Sequence, residues 1–450
     1  MNTPICDFVR RYAASDPVRL HMPGHKGKPM LGCEALDITE IPGADVLYHA
    51  EGIIRASEEN AAALFGSART LYSVEGSSLC IRAMLQLAQQ YARLCGKTPL
   101  VAAGRNAHRV FLEGAALLDL PIRWVGAGEE LLSSAPVLSE LEALFREKEK
   151  PTAVYLTSPD YLGNELDLAP VAALCHANGA LLLVDNAHGA YLKFLAPSRH
   201  PLDRGADLCC DSAHKTLPAL TGCAYLHLSQ DCPKALLSMA EQAMALFAST
   251  SPSYLLLQSL DALNPLLAGD YPARIRETAE ALDAAKRRLA AAGWQLCGTE
   301  PLKLTLLPKP CGYTGEALAE RLRKAGMVPE FFDADHLVLM LTPETEGLSR
   351  VTDFFLRLPA REPITARPPK RSPAQTALTP REALLSPFET LPVERCLGRV
   401  LASPCVGCPP AVPIAVCGER LNEDALALFR WYGIRELAVV LGKNDDLHKN

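Results

Sequence analysis

The sequence predicts an α/β protein built on a mostly parallel β-sheet. Between about Leu71 and Leu228, short apolar runs alternate with helix-like segments that end near glycine or polar clusters. The runs are almost continuously apolar, which is typical of strands buried on both faces of a parallel sheet. Of the 450 residues, 49% are hydrophobic and 21% are charged, so the chain can bury several cores and is not disordered.

Six apolar runs are predicted as strands, and four of the intervening segments as helices. The strands are residues 99–102, 122–125, 153–157, 180–185, 206–210 and 223–228. The helices are residues 78–94, 110–118, 138–147 and 168–178. In sheets of this kind, ligands bind outside the carboxyl ends of the strands, so the residues that follow each strand are the candidates for chemistry.

Shifts in composition divide the chain into five predicted parts. A long amphipathic stretch at residues 272–292 predicts a helix that crosses to a second domain, and the many prolines of residues 359–380 predict an extended linker. The five parts are an N-terminal arm (1–50), a large domain (51–270), a small α/β domain (271–358), the linker (359–380) and a C-terminal domain (381–450).

Charge and composition exclude several classes of protein. The 45 basic and 51 acidic residues give a net charge of −6, which argues against nucleic acid as a partner. The apolar runs are far shorter than the roughly 20 residues of a membrane-spanning helix. The N-terminus shows no apolar signal region, so we expect a cytoplasmic protein that does not bind membranes.

The 15 cysteines are expected to be reduced in that compartment. Cys405 and Cys408, with Cys417 nearby, have the spacing of half a zinc site. Because no second pair or suitably spaced histidine follows, we predict structural cysteines and no metal.

Asp185 and Lys215 are the first candidate site residues. Asp185 ends a predicted buried strand, where an unpaired carboxylate is costly, and Lys215 follows the next strand at the same edge of the sheet. Taken singly, they are a loop carboxylate and a surface lysine. Together they match a pyridoxal phosphate (PLP) site, in which a lysine forms a Schiff base and a carboxylate keeps the pyridine nitrogen protonated.

A phosphate site is predicted before the helix at residues 78–94. Ser77 and Ser78 follow a glycine and offer side-chain and backbone donors at a helix start, although a simple N-cap is the alternative. Ser212 and His214, beside Lys215, can add donors to the same phosphate.

Two further clusters follow predicted strands. His108 comes after the strand at residues 99–102 and could lie flat on a planar cofactor, or be an ordinary histidine with its hydrogen bonds satisfied. The segment of residues 155–161 is rich in hydroxyl groups.

The sequence resembles the ornithine/lysine/arginine decarboxylase family of fold-type I PLP enzymes, in its short bacterial form. The resemblance rests on Pro-Gly-His-Lys-Gly at residues 23–27 and Ser-Ala-His-Lys at residues 212–215, in that order. Other matching segments are residues 37–40, 43–45, 51–54, 249–254, 315–330 and 409–419. The resemblance implies a PLP-binding, aminotransferase-like large domain, a small α/β domain and a C-terminal domain of the decarboxylase type.

The resemblance also implies roles for single residues around the cofactor ring. Lys215 would form the Schiff base, Asp185 would pair with the pyridinium nitrogen, and His108 would stack on the ring. His188 would lie near the phenolic oxygen of the cofactor. Lys215, His188 and His108 are therefore the predicted catalytic residues, while Lys26 in the Pro-Gly-His-Lys-Gly segment is expected to be structural.

The remaining implied roles concern the phosphate and the assembly. The residues that would hold the phosphate are Ser77, Ser78, Ser212 and His214. Thr250 would reach the phosphate of the neighbouring subunit, so the site would need at least a homodimer.

Three positions depart from the pattern of the family. Glu75 stands where asparagine is usual and brings a carboxylate close to a phosphate, so it must turn away or pair with a base such as Arg105. Gly222 replaces a glutamine. Residues 407–411 read Gly-Cys-Pro-Pro-Ala, where an aromatic residue and a glycine usually flank the prolines.

The implied activity is decarboxylation of a basic amino acid. Arginine, giving agmatine, is the first choice, ahead of lysine (cadaverine) and ornithine (putrescine), and the expected role is polyamine biosynthesis. Glu330 and the acids of residues 333–335 are candidates to face the distal cation of the substrate, or are surface charges. The alternatives are another PLP reaction such as transamination, which needs an arginine to grip the carboxylate, and a non-catalytic PLP-binding paralogue, suggested by Glu75 and Gly222.

Overall fold

The computed structural model describes residues 1–126, 138–404 and 413–442. The strands are β1 (Arg69–Ser73), β2 (Val101–Gly104), β3 (Ile122–Val125), β4 (Ala153–Thr157), β5 (Leu181–Asp185), β6 (Leu208–Asp211), β7 (Ala224–Leu228), β8 (Gln295–Cys297), β9 (Lys303–Leu307), β10 (Phe331–Phe332), β11 (Leu337–Met340), β12 (Gln375–Thr376), β13 (Phe388–Pro392), β14 (Glu419–Arg420) and β15 (Glu436–Val440).

The α-helices alternate with the strands through the first two thirds of the chain. They are α1 (Pro4–Ala14), α2 (Ile53–Phe65), α3 (Gly76–Leu94), α4 (Arg109–Leu118), α5 (Leu138–Arg146), α6 (Leu168–Ala177), α7 (Ala213–Thr216), α8 (Lys234–Ala245), α9 (Tyr254–Ala268), α10 (Tyr271–Ala291), α11 (Gly315–Lys324), α12 (Leu348–Leu356), α13 (Pro380–Leu385) and α14 (Glu423–Trp431). Among the described residues, no helix combines the length and the apolar character needed to cross a bilayer.

The central sheet has seven strands in the order β1-β7-β6-β5-β4-β2-β3. The strands from β2 to β6 are mutually parallel, whereas β7 is antiparallel to both of its neighbours. The predicted mostly parallel sheet is therefore confirmed. The apolar pattern did not single out β1, because this edge strand carries Arg69, Thr70 and Ser73 among its five residues.

Alternate residues of the central strands enter two different cores. Leu181 and Leu183 of β5 pack into the core on one face of the sheet, and Leu182 and Val184 pack into the core on the other face. This two-sided burial explains the continuously apolar runs. The strand predicted at residues 99–102 begins at Val101, two residues after the predicted start. Pro99 has no N–H group to donate to a neighbouring strand.

A second, four-stranded sheet has the order β10-β11-β9-β8 and shares a core with α10, α11 and α12. Residues 359–374 form neither helix nor strand, and β12 then pairs with β14. The domain limits given above stay predictions. Cys405, Cys408 and the 407–411 segment lie outside the described residues, and Cys417 is buried.

Candidate active site

Eight of the nine predicted site residues line one cavity of about 320 Å³ at the carboxyl ends of the central strands. They are Lys215, Asp185, His108, His188, Ser77, Ser78, Ser212 and His214. Among the described residues, Thr250 is the member of the predicted set that does not line this cavity, and it is exposed. The cavity lies where a parallel α/β sheet is expected to bind its ligand.

Asp185 is buried at the end of β5 and held by three donors. Its Oδ2 accepts a hydrogen bond from Tyr155 Oη at 3.1 Å, and its Oδ1 accepts from the backbone N–H of Ala187 at 3.2 Å. The thiol of Cys210 lies 3.6 Å from the same Oδ1. These contacts fix the carboxylate in the cavity lining, where it can face a cationic group of a ligand.

Lys215 lies in the short helix α7 with its Nζ 3.3 Å from Nε2 of His188. Burial lowers the pKa of Lys215 below its ordinary value, although Asp185 opposes that effect. Burial also lowers the pKa of His188 well below its ordinary value, and two nearby lysines add to the effect. Both groups are therefore biased toward their neutral forms, as a nucleophilic amine requires.

The start of α3 offers donor groups that suit an anion. Gly76 begins the helix with a φ of +69°, and Ser77 Oγ accepts a hydrogen bond from Ser212 Oγ at 2.9 Å. The first-turn N–H groups of a helix lack intrahelical acceptors and carry the positive end of the helix dipole. Neither serine is the N-cap, since Glu75 occupies that position without a side-chain capping bond.

Each of the two remaining histidines is oriented by a hydrogen bond at one of its ring nitrogens. His214 Nδ1 lies 2.8 Å from the carbonyl oxygen of Cys223, so this nitrogen donates and Nε2 is left for the cavity. His108 is the N-cap of α4, where its Nδ1 accepts from Val110 N at 3.3 Å. Burial lowers the pKa of His108, which favours an uncharged ring beside the cavity.

The residues present fit the predicted cofactor. Thr157 Oγ1 lines the cavity, is buried, and has no hydrogen-bond partner among the described residues, so it is available to a ligand. Thr157 is also the register partner of Asp185 in the neighbouring strand. Donor groups that suit an anion, a lysine and a carboxylate in one cavity are the groups that pyridoxal phosphate needs.

Two of the departures from the family pattern are accommodated by the fold. The Glu75 carboxylate turns to the backbone N–H of Ser249 and accepts from it at 2.7 Å. Gly222 has a φ of +101°, where a Cβ would lie 3.2 Å from the carbonyl oxygen of Val74. A glutamine would be strained in this conformation, so glycine suits this turn.

Of the two alternatives for Glu75, the structure shows the carboxylate turned to Ser249 and not paired with Arg105. Both guanidinium Nη atoms of Arg105 instead bind the carboxylate of Glu419 at 2.6 Å, and both side chains are at least 95% buried. A planar bidentate carboxylate is the best partner for a buried arginine, whereas the Glu75 side chain is exposed. The pair anchors the C-terminal segment next to the loop that carries His108.

A second buried network, of hydrogen bonds, lies at the ends of the same strands. Asp211, at the end of β6, accepts from Asn186 Nδ2 at 2.6 Å and from His200 Nε2 at 3.0 Å. Although burial opposes ionisation, the histidine contacts hold the pKa of Asp211 below its ordinary value. The network joins the residues that follow Asp185 to the residue that precedes Ser212.

Sequence reasoning missed one residue of the site, Lys303. Its Nζ lies 3.4 Å from Nδ1 of His188, although Lys303 belongs to the second sheet. The signal was a lysine inside the apolar strand Leu302-Lys-Leu-Thr-Leu306, three residues after Glu300. A charge in such a run indicates a buried ion pair, but the sequence does not show what lies next to it.

Comparison with known proteins agrees with this geometry. A family model described as the major domain of Orn/Lys/Arg decarboxylases matches residues 3–305. An arginine decarboxylase of Halalkalibacterium halodurans is 28% identical over 95% of this chain and 93% of its own length. An uncharacterized protein of Bacillus subtilis (strain 168) is 29% identical over the same shares of the two chains.

The fold has clear counterparts among solved structures. The E. coli constitutive lysine decarboxylase superposes with a TM-score of 0.76 at 16% identity, over 98% of this chain and 82% of that one. The Francisella novicida lysine decarboxylase gives 0.77 at 14% identity, over 98% and 81%. These likenesses establish the fold-type I architecture that the sequence predicted.

Proposed function

Because the chain belongs to the Orn/Lys/Arg decarboxylase family and is a PLP-dependent amino acid decarboxylase, we propose that its substrate is arginine and its product agmatine. The observation that carries this proposal is the convergence of Lys215, Asp185 and His108 on one cavity. Tyr161 of the same cavity lining donates to Glu330, the residue before β10. Relatives named arginine decarboxylase support the choice among the three basic amino acids.

The cofactor would be held by residues at opposite ends of the cavity. Lys215 would bond it covalently through Nζ, Asp185 would bind its ring nitrogen, and His108 would lie against the ring. The phosphate would be bound by Ser77, Ser78, Ser212 and His214. When bound, PLP supplies an electron-accepting ring that takes up the electrons left on the substrate carbon as CO₂ departs.

Lys215 and His188 would handle the proton that the substrate carbon then needs. Their nitrogens are 3.3 Å apart, within reach of proton exchange, and both carry lowered pKa values. A neutral amine can take the proton of an incoming amino group and return one to the carbon.

Glu330 is the carboxylate that we propose for the distal cation of the substrate. Its Oε1 accepts from Tyr161 Oη at 2.9 Å, and Tyr161 lines the cavity. The other candidates in this segment are already paired, because Asp333 binds His336 at 3.1 Å and Asp335 binds Lys309 at 2.6 Å.

Glu330→Gln is expected to raise KM for arginine by about 10-fold to 100-fold and to leave kcat nearly unchanged. The variant removes one charge-assisted contact, worth roughly 1.5–3 kcal/mol, that forms before and during the reaction alike. Steady-state kinetics of agmatine release measure the split. Asp335→Asn is the matched control, because Asp335 lies five residues further along the chain and pairs with Lys309. Equal KM values for Glu330→Gln and the unmutated enzyme would remove Glu330 from the substrate site.

The test of the proposed substrate is amine release by the purified protein with added PLP. Arginine, lysine and ornithine are supplied separately, and agmatine, cadaverine and putrescine are quantified against a Lys215→Ala control. We expect agmatine to form with the highest kcat/KM. Cadaverine or putrescine as the main product would overturn the choice of arginine, and pyruvate consumption without amine would indicate transamination.

The homodimer is also a proposal, and it gives Glu75 a task. Glu75 binds the backbone of Ser249, the residue before Thr250. Thr250 is exposed and is not among the residues that line the cavity of its own subunit. We propose that Glu75 fixes this segment so that Thr250 reaches the phosphate bound by the second copy of the chain. In this arrangement the Glu75 carboxylate is engaged by the backbone N–H of Ser249.

Glu75→Ala is expected to weaken PLP binding by about 10-fold, because it releases the segment that carries Thr250. Glu75→Gln keeps a side-chain oxygen for Ser249 N and should bind PLP as the unmutated protein does. Equilibrium titration of the PLP-free protein, followed by the cofactor's absorbance, gives the Kd. Tighter binding in both variants would show that charge repulsion dominates and would contradict the prediction.

A further inference from the structure

Lys303 lies at the start of β9 in the second sheet, and its ammonium group lies beside the histidine of the active site. Nζ forms an ion pair with Glu300 Oε2 at 2.9 Å, and it lies 3.3 Å from the carbonyl oxygen of Asp160 and 3.4 Å from His188 Nδ1. The side chains of Lys303 and Glu300 are each 1% exposed. The ion pair with Glu300 places a counter-charge directly beside the buried Lys303 ammonium group.

The hydrogen-bonding capacities of these groups determine where the proton of His188 lies. An ammonium group has three donors and no acceptor, whereas a neutral imidazole has one donor nitrogen and one acceptor nitrogen. Because Lys303 can only donate, Nδ1 of His188 must accept, and the proton of the ring lies on Nε2. Nε2 is the nitrogen that lies 3.3 Å from Lys215 Nζ.

We propose that Lys303 is a positioning residue for the decarboxylation: it fixes His188 in the tautomer protonated at Nε2 and so holds an N–H group in front of the Lys215 amine. This inference rests on the proposed role of Lys215. A lysine amine that faces an N–H donor must accept, which only its neutral form can do. A residue of the second sheet, Lys303, would thereby set the protonation state of Lys215, which follows a strand of the central sheet.

The charges around the two groups act in the same direction. After burial, Lys303 and then Lys215 are the largest contributions that lower the pKa of His188, and Lys303 also lowers the pKa of Lys215. Other neighbouring groups also act on Lys215 and His188. Asp185, Cys210 and Glu330 raise the pKa of Lys215. His108 and His214 lower the pKa of His188.

Glu300 is itself held in place by Tyr191, which lies between β5 and β6, and by Lys286 of α10. The hydroxyl of Tyr191 donates to Glu300 Oε1 at 3.3 Å and accepts from Leu302 N at 3.2 Å. Lys286 of α10 donates to the carbonyl oxygen of Glu300 at 2.9 Å. The carboxylate that neutralises Lys303 is therefore fixed against the elements that carry His188.

The first test reads the tautomer of His188 directly in the full-length, PLP-free protein. Side-chain ¹⁵N resonances of histidine distinguish a protonated ring nitrogen from an unprotonated one, and comparison with a His188→Gln variant assigns the signals. We expect Nε2 to be protonated in the unmutated protein and in Lys286→Met, which disturbs the same glutamate without contacting His188. In Lys303→Met this preference should be lost.

The second test reads the pH at which Lys215 becomes reactive in the PLP-free protein. Mass spectrometry after brief acylation at a series of pH values gives the midpoint for this lysine. Lys303→Met should raise the midpoint by about one pH unit, because it removes a positive charge and frees Nε2 to accept from an ammonium group. Lys286→Met should leave the midpoint unchanged.

Protonation of His188 at Nδ1 in the unmutated protein, or a Lys303→Met variant with unchanged resonances and midpoint, would overturn the inference. If Lys303→Met fails to fold because Glu300 is left unpaired, the neutral double variant Lys303→Met with Glu300→Gln undergoes the same two measurements. Neither measurement uses cofactor or substrate. A failure to release amine would therefore count against the proposed function and not against the tautomer.

Discussion

Replacing Lys215 with alanine is expected to abolish amine release while the protein still folds. Lys215 is the lysine that lines the cavity, and its environment favours the neutral amine that can attack a carbonyl group. Loss of a covalent nucleophile typically costs about 10⁴-fold or more in turnover. The measurement is agmatine release from saturating arginine, with circular dichroism to verify folding of the variant.

The same variant allows the covalent attachment to be located. Borohydride reduction followed by peptide mapping should find the mass of the cofactor on Lys215 in the unmutated protein and no labelled peptide in Lys215→Ala. Lys193→Ala is the matched control, because Lys193 pairs with Asp203 away from the cavity. A label on Lys303, the other lysine near His188, or turnover by Lys215→Ala at the unmutated rate would show that the assignment is wrong.

Asp185→Asn is expected to lower kcat by about three orders of magnitude with a smaller effect on KM. A neutral amide no longer stabilises a proton on the ring nitrogen of the cofactor, so the ring accepts electrons poorly in the transition state. Each tenfold loss in rate corresponds to about 1.4 kcal/mol of transition-state stabilisation. Single-turnover kinetics with arginine measure the chemical step, and a pH titration of the bound cofactor's absorbance follows its protonation.

Tyr155→Phe provides the control for Asp185→Asn. It removes the hydroxyl that donates to Asp185 Oδ2 at 3.1 Å but leaves the carboxylate and its other donors in place. We expect a loss of about tenfold, as one hydrogen bond to a charged group would give. Near-normal kcat in Asp185→Asn, or equal losses in the two variants, would contradict the role of the carboxylate charge.

The two departures at residues 75 and 222 show how far local motifs can be interpreted alone. As sequence, Glu75 places a negative charge beside a phosphate, and Gly222 removes a side chain from the cofactor's surroundings. In the fold, the Glu75 carboxylate binds Ser249 N, and the backbone at Gly222 has a conformation that favours glycine. A change at a motif position therefore has meaning only together with the contacts that the new residue makes.

The sequence by itself determined the mostly parallel sheet and most of the candidate site. Strands buried on both faces need continuous apolar runs, so the runs marked the strands, and parallel strands bring their carboxyl ends to one edge. Asp185 ends such a run, and Lys215 and His108 each follow one within a few residues. To predict that they meet in one cavity, only the direction of the strands is needed. The helices between the strands imply that direction.

Only the tertiary structure decided which partners meet across long separations. Glu419 lies 314 residues along the chain from Arg105, and Lys303 reaches His188 from a different sheet. Periodicity reports which face of a strand or helix is buried, but not which other segment covers that face. The partner of a buried charge is determined by how the segments pack, because every buried donor and acceptor must be satisfied by groups that packing brings within reach.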